Sequence, residues 1–330
     1  MNPQRRDGGG RDLDEDDVRI RPSRHGSRPR TRTRPAHTEA DGGLVVAVDR
    51  GRYTCRVAEE TVTAMRAREL GRKAVVVGDR VALVGDTGGG VDALARIVRV
   101  ERRTSLLRRT ADDTDPHERV IVANADQLVV VTALADPPPR TGLIDRCLVA
   151  AYVGGLAPLL CLTKADLADP DELIAAYADL DLTVVAVRRD QAPEVLRQYL
   201  AGKVSVLVGH SGVGKSTLVN ALVPDAGRAT GRVSGIGRGR HTSSSVVMLE
   251  LADGWIIDTP GIRSFGLAHV TPDDVLTAFP DLAPASVRCP PGCAHGESSE
   301  GCALDAWVAA GHATPGRLAS LRRLLAAPQE

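Results

Sequence analysis

The chain has 330 residues, with 42 basic and 42 acidic side chains, so its formal net charge of zero excludes a molecule that is a polycation as a whole. Apolar residues at 43% and charged residues at 25% are ordinary for a globular protein, and the length predicts about two to three domains with ample core. The longest uncharged run, residues 147–163, is shorter than the ~20 apolar residues of a membrane span and is broken by Gly154-Gly155 and Pro158. No apolar segment opens the chain, so the expectation is a cytoplasmic protein without a signal peptide. Six cysteines in a reducing compartment point to metal binding or inert burial; Cys55, Cys147 and Cys161 sit in apolar contexts that suit a core. Only four basic residues are lysine (Lys73, Lys164, Lys203 and Lys215), and two of these fall inside the motifs below.

Residues 1–38 are rich in Arg, Gly, Asp and Pro and nearly free of large apolar side chains, which predicts a disordered arm. Residues 19–34 hold seven arginines and no acid, a pattern that fits either phosphate backbones or a solvated tail. From residue 39 to 109 short apolar runs alternate with turns. Residues 44–48, 53–57, 74–77, 80–84 and 95–100 are the predicted strands, punctuated by Gly78-Asp79 and by Gly85-Asp86-Thr87-Gly88-Gly89-Gly90. About five short strands in so little chain predict a small barrel of the OB type. Its arginines, Arg52, Arg56, Arg96, Arg99, Arg102 and Arg103, fit RNA binding, although only Tyr53 is available for stacking; a barrel used only for packing fits as well.

From Arg119 the pattern becomes alternating strand and helix. Residues 120–123, 127–132, 157–162, 183–187 and 204–208 read as strands, and residues 144–153 and 192–200 as helices. Asp169-Pro170-Asp171-Glu172 carries the signals of a helix start. The alternation predicts a doubly wound, mostly parallel sheet covered on both faces.

Three motifs within this region carry chemistry. The first is Thr163-Lys164-Ala165-Asp166, at the end of a predicted strand, which has the form of the guanine-reading motif of GTPases. In that motif the carboxylate, here Asp166, accepts from guanine N1–H and the exocyclic amine, a pair of donors adenine cannot offer. The second is Gly209-His210-Ser211-Gly212-Val213-Gly214-Lys215-Ser216-Thr217 after the strand at 204–208, a phosphate-binding loop. Its glycines let backbone amides approach phosphate oxygens, Lys215 reaches the β- and γ-phosphates, and Ser216 binds Mg²⁺. The third is Asp258-Thr259-Pro260-Gly261 after an apolar strand; Asp258 completes the Mg²⁺ site and the Gly261 amide faces the γ-phosphate. Between the last two lies a Gly/Arg/Ser-rich loop over residues 235–245, where Thr242 or Ser243 is placed to ligate Mg²⁺. Thr163 precedes Gly209 by 46 residues, whereas in an ordinary GTPase the base-reading motif comes last. The expected fold is therefore a circularly permuted GTPase, whose chain leaves the γ-phosphate motif directly into the C-terminal segment.

That segment contains Cys289, Cys293, His295 and Cys302 in the pattern C-x3-C-x-H-x6-C among glycine and proline turns, the composition of a closed structural zinc site. Short helices are expected around it, capped at Thr271-Pro272-Asp273-Asp274, spanning residues 303–310, and starting at Thr314-Pro315. Arg317, Arg322 and Arg323 on the last helix make a basic face suited to RNA or simply to solvent.

Taken together, Ala123-Asn124-Ala125-Asp126-Gln127, Leu143-Ile144-Asp145-Arg146, Thr163-Lys164-Ala165-Asp166, residues 209–217, Gly239-Arg240-His241-Thr242, Asp258-Thr259-Pro260-Gly261 and the cysteine cluster resemble the ribosome small-subunit-dependent GTPase A family (RsgA, or YjeQ) over residues 43–325. The inner pair of zinc ligands stands one residue away from the family spacing. The resemblance implies an OB domain at 39–109, a permuted GTPase domain at 110–270 and a helical zinc domain at 271–330. It implies GTP hydrolysis during late maturation of the small (30S) ribosomal subunit, with rRNA contacts from the two outer domains, one structural Zn²⁺, and Mg²⁺ accompanying GTP. The protein would act as a cytoplasmic monomer. In place of the glutamine that orients water in many GTPases the chain has Ile262, and the family pattern makes His241 the catalytic candidate. The usual guanine-backing Ser-Ala loop is Ala186-Val187 here and is left unassigned. Two alternatives are a non-catalytic RNA-binding factor that holds GTP as a structural ligand, and a permuted GTPase acting on another RNA or on the large subunit.

Overall fold

The computed structural model of the chain describes residues 37–71, 75–90, 93–110, 118–189, 191–223, 246–259 and 266–327. The predicted basic arm lies outside them but for its last two residues.

Five strands build the N-terminal barrel: β1 (Asp41–Asp49), β2 (Arg52–Val57), β3 (Glu60–Arg66), β4 (Arg80–Gly85) and β5 (Leu94–Val100). β1 pairs with β2, β2 with β3, β3 with β5 in parallel, and β5 with β4. β4 then returns to the first residues of β1, Asp41–Leu44, and closes the barrel. The result is the five-stranded barrel of the OB type that the sequence predicts. Alternate residues fill the interior, among them Val45, Tyr53, Cys55, Val62, Leu83 and Ile97. Two strand assignments differ from expectation. Residues 75–77 are not a strand: Val75 is buried in the barrel core, while Val77 makes an isolated bridge to Val122 and packs in the core beyond it. They read as a strand because three β-branched apolar residues stand in a row, two of them buried. The third strand, β3, escaped notice because only Val62 and Ala64 point inward while glutamate and threonines face out.

A short hairpin, β6 (Leu106–Arg109) with β7 (Arg119–Ala123), leads into the α/β region. There follow β8 (Gln127–Ala133), α1 (Thr141–Gly154), β9 (Ala157–Thr163), α2 (Asp171–Ala176), β10 (Thr183–Ala186), α3 (Ala192–Leu200), β11 (Lys203–Val208), α4 (Lys215–Leu222), β12 (Val247–Leu251) and β13 (Gly254–Asp258). The sheet order is β10-β9-β8-β11-β13-β12, parallel throughout except for β12. Central β8 is buried along its whole length. Its residues alternate between two cores: Leu128 and Val130 pack on the α1 side, Val129 and Val131 on the side of α3 and α4. β12 also pairs with β1 at Ala47 and Val247, so barrel and sheet share one run of eleven strands.

The C-terminal helices are α5 (Pro272–Leu276), α6 (Ala303–Ala309) and α7 (Pro315–Ala326), with a 3-10 turn at Ala283–Arg288. Thr271 and Asp274 close a capping box on α5, as the sequence predicts. The arginines of α7 correct the expectation that they face RNA or solvent. Arg317 pairs with Asp281 at 3.2 Å, lies 4.4 Å over the Phe279 ring and donates to Asp179 O. Arg322 pairs with Asp305 at 2.7 Å. Arg323 sits 3.3 Å from Asp145, lies 4.5 Å over Tyr177 and donates to Ala176 O at the end of α2. Arg146 of α1 in turn donates to Ala327 O at 2.7 Å. A buried carboxylate at Asp145 and open carbonyls at a helix end demand cationic donors, and α7 supplies them.

Barrel and sheet meet at a polar joint. Asp79 is fully buried; Arg103 grips it with two bonds of 2.7 and 2.8 Å, and Val76 N donates to it. Beside it Gly78, at φ +88°, passes so close that a Cβ would lie 2.0 Å from Ala123 O. Asn124, itself in the left-handed region, donates to Gly78 O and accepts from Thr104 N. Asp79→Ala removes an acceptor from two groups that keep their need for it, and the half-shielded Arg103 limits the loss to about 2–4 kcal/mol. The expected result is a lowered thermal midpoint for the transition that reports the barrel, followed by near-ultraviolet circular dichroism.

Candidate nucleotide site and metal centre

The phosphate-loop sequence emerges from β11, whose last four residues are buried, and turns at once. At Gly209 a Cβ would lie 2.3 Å from Val131 O, so only glycine lets the loop cross the end of β8. Gly212 and Gly214 take positive φ of 84° and 94°, and Gly214 is the N-cap of α4. The loop thereby delivers its amides and the positive end of α4 to one spot, with Ser216 and Thr217 exposed in the first turn. His210 is half-buried with Nδ1 2.8 Å from Ser211 O, Ser211 is exposed and Val213 is buried. β13 runs beside β11 with Leu207 opposite Asp258, which brings that carboxylate onto the Lys215 ammonium. Lys215 also donates to Thr259 O at 3.2 Å, and Thr259 Oγ1 is locked to Leu207 O at 2.7 Å.

The guanine-motif sequence ends β9, two strands away from β11. Buried Thr163 reaches across: its Oγ1 donates to Val213 O at 2.5 Å, with Thr132 O 3.2 Å away. Lys164, at φ 59°, donates its ammonium to Asp136 O, and Pro137 of the same loop lies against Gly212. On the other flank Ala165 N donates to Val187 O and Val187 N to Leu162 O, so the end of β10 is stitched to the motif. Asp166 stands exposed at its tip. The fold thus gathers Thr163, Lys164, Ala165, Asp166, the loop from Gly209 to Thr217 and Asp258 at the C-terminal ends of β9, β11 and β13. Gly261, His241 and Thr242 lie outside the described residues. Asp136 and Pro137 carried no signal in the sequence, because they contribute a carbonyl and a surface rather than a motif.

At the other end of the chain Cys289, Cys293, His295 and Cys302 converge, with ligand atoms all within 4.8 Å of one another. His295 Nδ1 is 3.7 Å from Cys289 Sγ and 3.9 Å from Cys302 Sγ. Zn–S bonds of ~2.3 Å and Zn–N bonds of ~2.0 Å put tetrahedral ligand atoms roughly 3.5–3.8 Å apart, so the donor set fits zinc in both chemistry and spacing. The one-residue departure from the family spacing does not prevent convergence. Ala303 N donates to Cys289 Sγ at 3.3 Å, an amide placed for a thiolate. Burial pushes the Cys302 thiol up to about 11, so its thiolate calls for a bound cation at neutral pH.

The RsgA GTPase family model matches residues 100–268. A relative named Small ribosomal subunit biogenesis GTPase RsgA, from Chlorobaculum parvum, is 36% identical over 86% of this chain and 93% of its own length. A relative of the same name from Pseudomonas putida is 39% identical over 78% of this chain and 76% of its own. The chain belongs to the RsgA GTPase family. The solved structure of YjeQ from Thermotoga maritima superposes with a TM-score of 0.63 at 27% identity, covering 88% of this chain and 98% of that one. YloQ, described as a circularly permuted GTPase, superposes at 0.61 with 23% identity, covering 90% and 98%, and shares the fold.

As an RsgA family member the protein is a GTP-hydrolysing enzyme, and its chain order of base motif before phosphate motifs is the permutation. The cysteines fall into two classes by their surroundings. Burial pushes the Cys55, Cys147 and Cys161 thiols up to about 12, whereas Cys289 and Cys293 are half-exposed. Alkylation of the native chain after chelator treatment should label Cys289, Cys293 and Cys302, and leave Cys55, Cys147 and Cys161 unmodified until the protein unfolds. Peptide mass spectrometry reads both sets.

Proposed function

We propose that this RsgA family GTPase binds GTP with Mg²⁺ between Asp166 and the loop at Gly209–Thr217, and hydrolyses it on the small ribosomal subunit during late 30S maturation. The observation that carries the reading is the bond from Thr163 to Val213 O, which ties the base motif to the phosphate loop despite their separation in sequence. With nucleotide present Lys215 exchanges Asp258 for the β- and γ-phosphates, and Asp258, Ser216 and Thr242 are the residues that would hold Mg²⁺. The metal supplies charge neutralisation across those phosphates. By their motifs Gly261 and His241 are the residues that would meet the γ-phosphate and orient the attacking water.

The relatives' names supply the small subunit, and the barrel surface supports an RNA partner. Arg103 is committed to Asp79, and Arg56 and Arg99 pair with glutamates. Arg52, Met65 and Arg96 instead lie in register across β2, β3 and β5, with Met65 and nearby Leu94 about half exposed. Cations interleaved with apolar surface suit a nucleic-acid backbone with its bases. In this reading the barrel over 39–109 and the zinc-bearing segment over 271–330 contact rRNA, and the GTPase segment over 110–270 reports the nucleotide. Among the described residues no helix is long and apolar enough to cross a membrane. In this reading the protein works as a monomer in the cytoplasm, where its small-subunit partner would be met.

GTP turnover measured with and without small subunits tests the proposal; stimulation by small but not large subunits is expected, and no stimulation would leave a GTP-holding RNA binder. Asp166→Ala removes two charge-assisted bonds to guanine and should weaken GTP binding about a hundredfold or more, with little change for ATP, in a fluorescent-nucleotide titration. His241→Ala should abolish subunit-stimulated turnover while GTP affinity stays close to wild type; unchanged turnover removes His241 from the mechanism.

A further inference from the structure

The histidine of the metal cluster has its two ring nitrogens in different company. Nδ1 faces the thiols of Cys289 and Cys302, whereas Nε2 lies 3.2 Å from Asp273 Oδ1. The ring is buried, 2% exposed, so water does not compete for either nitrogen. A neutral imidazole ligates a cation through one nitrogen and keeps its proton on the other, and that proton needs an acceptor. Asp273 is available for the task. Capping of α5 falls to Thr271 and Asp274, whose reciprocal bonds are complete without it. The Asp273 side chain is 82% exposed, so the contact adds little stability of its own; what it supplies is orientation.

The geometry points to Asp273 as an outer carboxylate of the metal centre, which fixes His295 as the Nδ1-ligating tautomer and ties the metal to α5. This rests on the reading of Cys289, Cys293, His295 and Cys302 as a zinc site. It gives that site a consequence beyond local folding. Asp273 follows Asp258, the residue paired with Lys215, by only fifteen positions, and among the described residues α5 is the first helix after β13. On the opposite side Arg322 of α7 donates to His295 O at 3.5 Å and pairs with Asp305. In this reading His295 links α5, which follows Asp258 in the chain, to α7, the helix docked on α1.

Competition for zinc between the full-length protein and a chromophoric chelator tests the assignment. Asp273→Ala should weaken zinc binding by about 10–100-fold, the usual cost of removing an outer-sphere partner. Asp273→Asn, which keeps an acceptor oxygen without the charge, should fall between. Nitrogen-15 histidine spectra of the zinc-loaded wild-type protein should show His295 protonated at Nε2 and metal-bound at Nδ1, a measurement that needs no variant to fold. Equal zinc affinity in Asp273→Ala and wild type, or metal on Nε2, overturns the proposal. A wild-type protein that takes up no zinc would defeat the metal-site reading itself, which is a different result.

Discussion

Everything in the nucleotide site depends on the parallel order β9-β8-β11-β13, which brings the C-terminal ends of four strands to one edge of the sheet. Ligands of open α/β sheets bind outside those ends, because loops there are free to carry chemistry while the strands below are locked by packing. The chain between the two motifs matters less than this adjacency, and one buried bond records it, from Thr163 to Val213 O. A threonine hydroxyl is short and held by β9, so it can bond the loop only if the two strand ends sit at a fixed spacing. The phosphate loop is thus positioned by its own glycines from below and by the base motif from the side.

Permutation leaves the site's geometry alone and changes what the chain does on leaving it. In this molecule the strand that ends at Asp258 leads, through residues 260–265 outside the described set, into α5 and the metal cluster. α7 then returns to α1, where Arg323 meets Asp145 and Arg146 meets Ala327 O. Since α1 follows the loop that carries Asp136 and Pro137, the C-terminal helix and the base motif are linked through one rigid element. The Leu143-Ile144-Asp145-Arg146 motif, which no nucleotide chemistry explained, is the clamp for that helix.

The barrel is attached with equal firmness. A buried Asp79 gripped by Arg103, the close passage at Gly78 and the side chain of Asn124 concentrate polar contacts where the two regions meet. The β1–β12 pairing adds a backbone connection to the strand next to β13. Surface arginines on β2 and β5 are therefore carried by a body continuous with the nucleotide site, which is the physical requirement for an RNA contact to be felt there.

Much of this was legible in residue order. Glycine spacing at Gly209, Gly212 and Gly214 has one economical explanation, since only glycine tolerates both the positive φ and the close backbone. The apolar runs at β8, β9 and β11 announced a buried parallel sheet, and the cysteine–histidine pattern announced a soft-metal site. What the sequence could not announce are contacts in which a residue serves through its position. β3 buries one thin face, Val62 and Ala64, and leaves a weak period; residues 75–77 are a short β-branched apolar run and mimic a strand. Arg317 and Arg323 looked free for RNA or solvent because Asp179 O, Ala176 O and Asp145, which they satisfy, lie over a hundred residues away in the chain. Asp273 looked like an ordinary helix-start acid until folding set it beside His295. Local chemistry determined which groups this protein has for nucleotide and metal; only tertiary packing, by pairing charges and donors distant in sequence, decided which of them are spent inside the molecule.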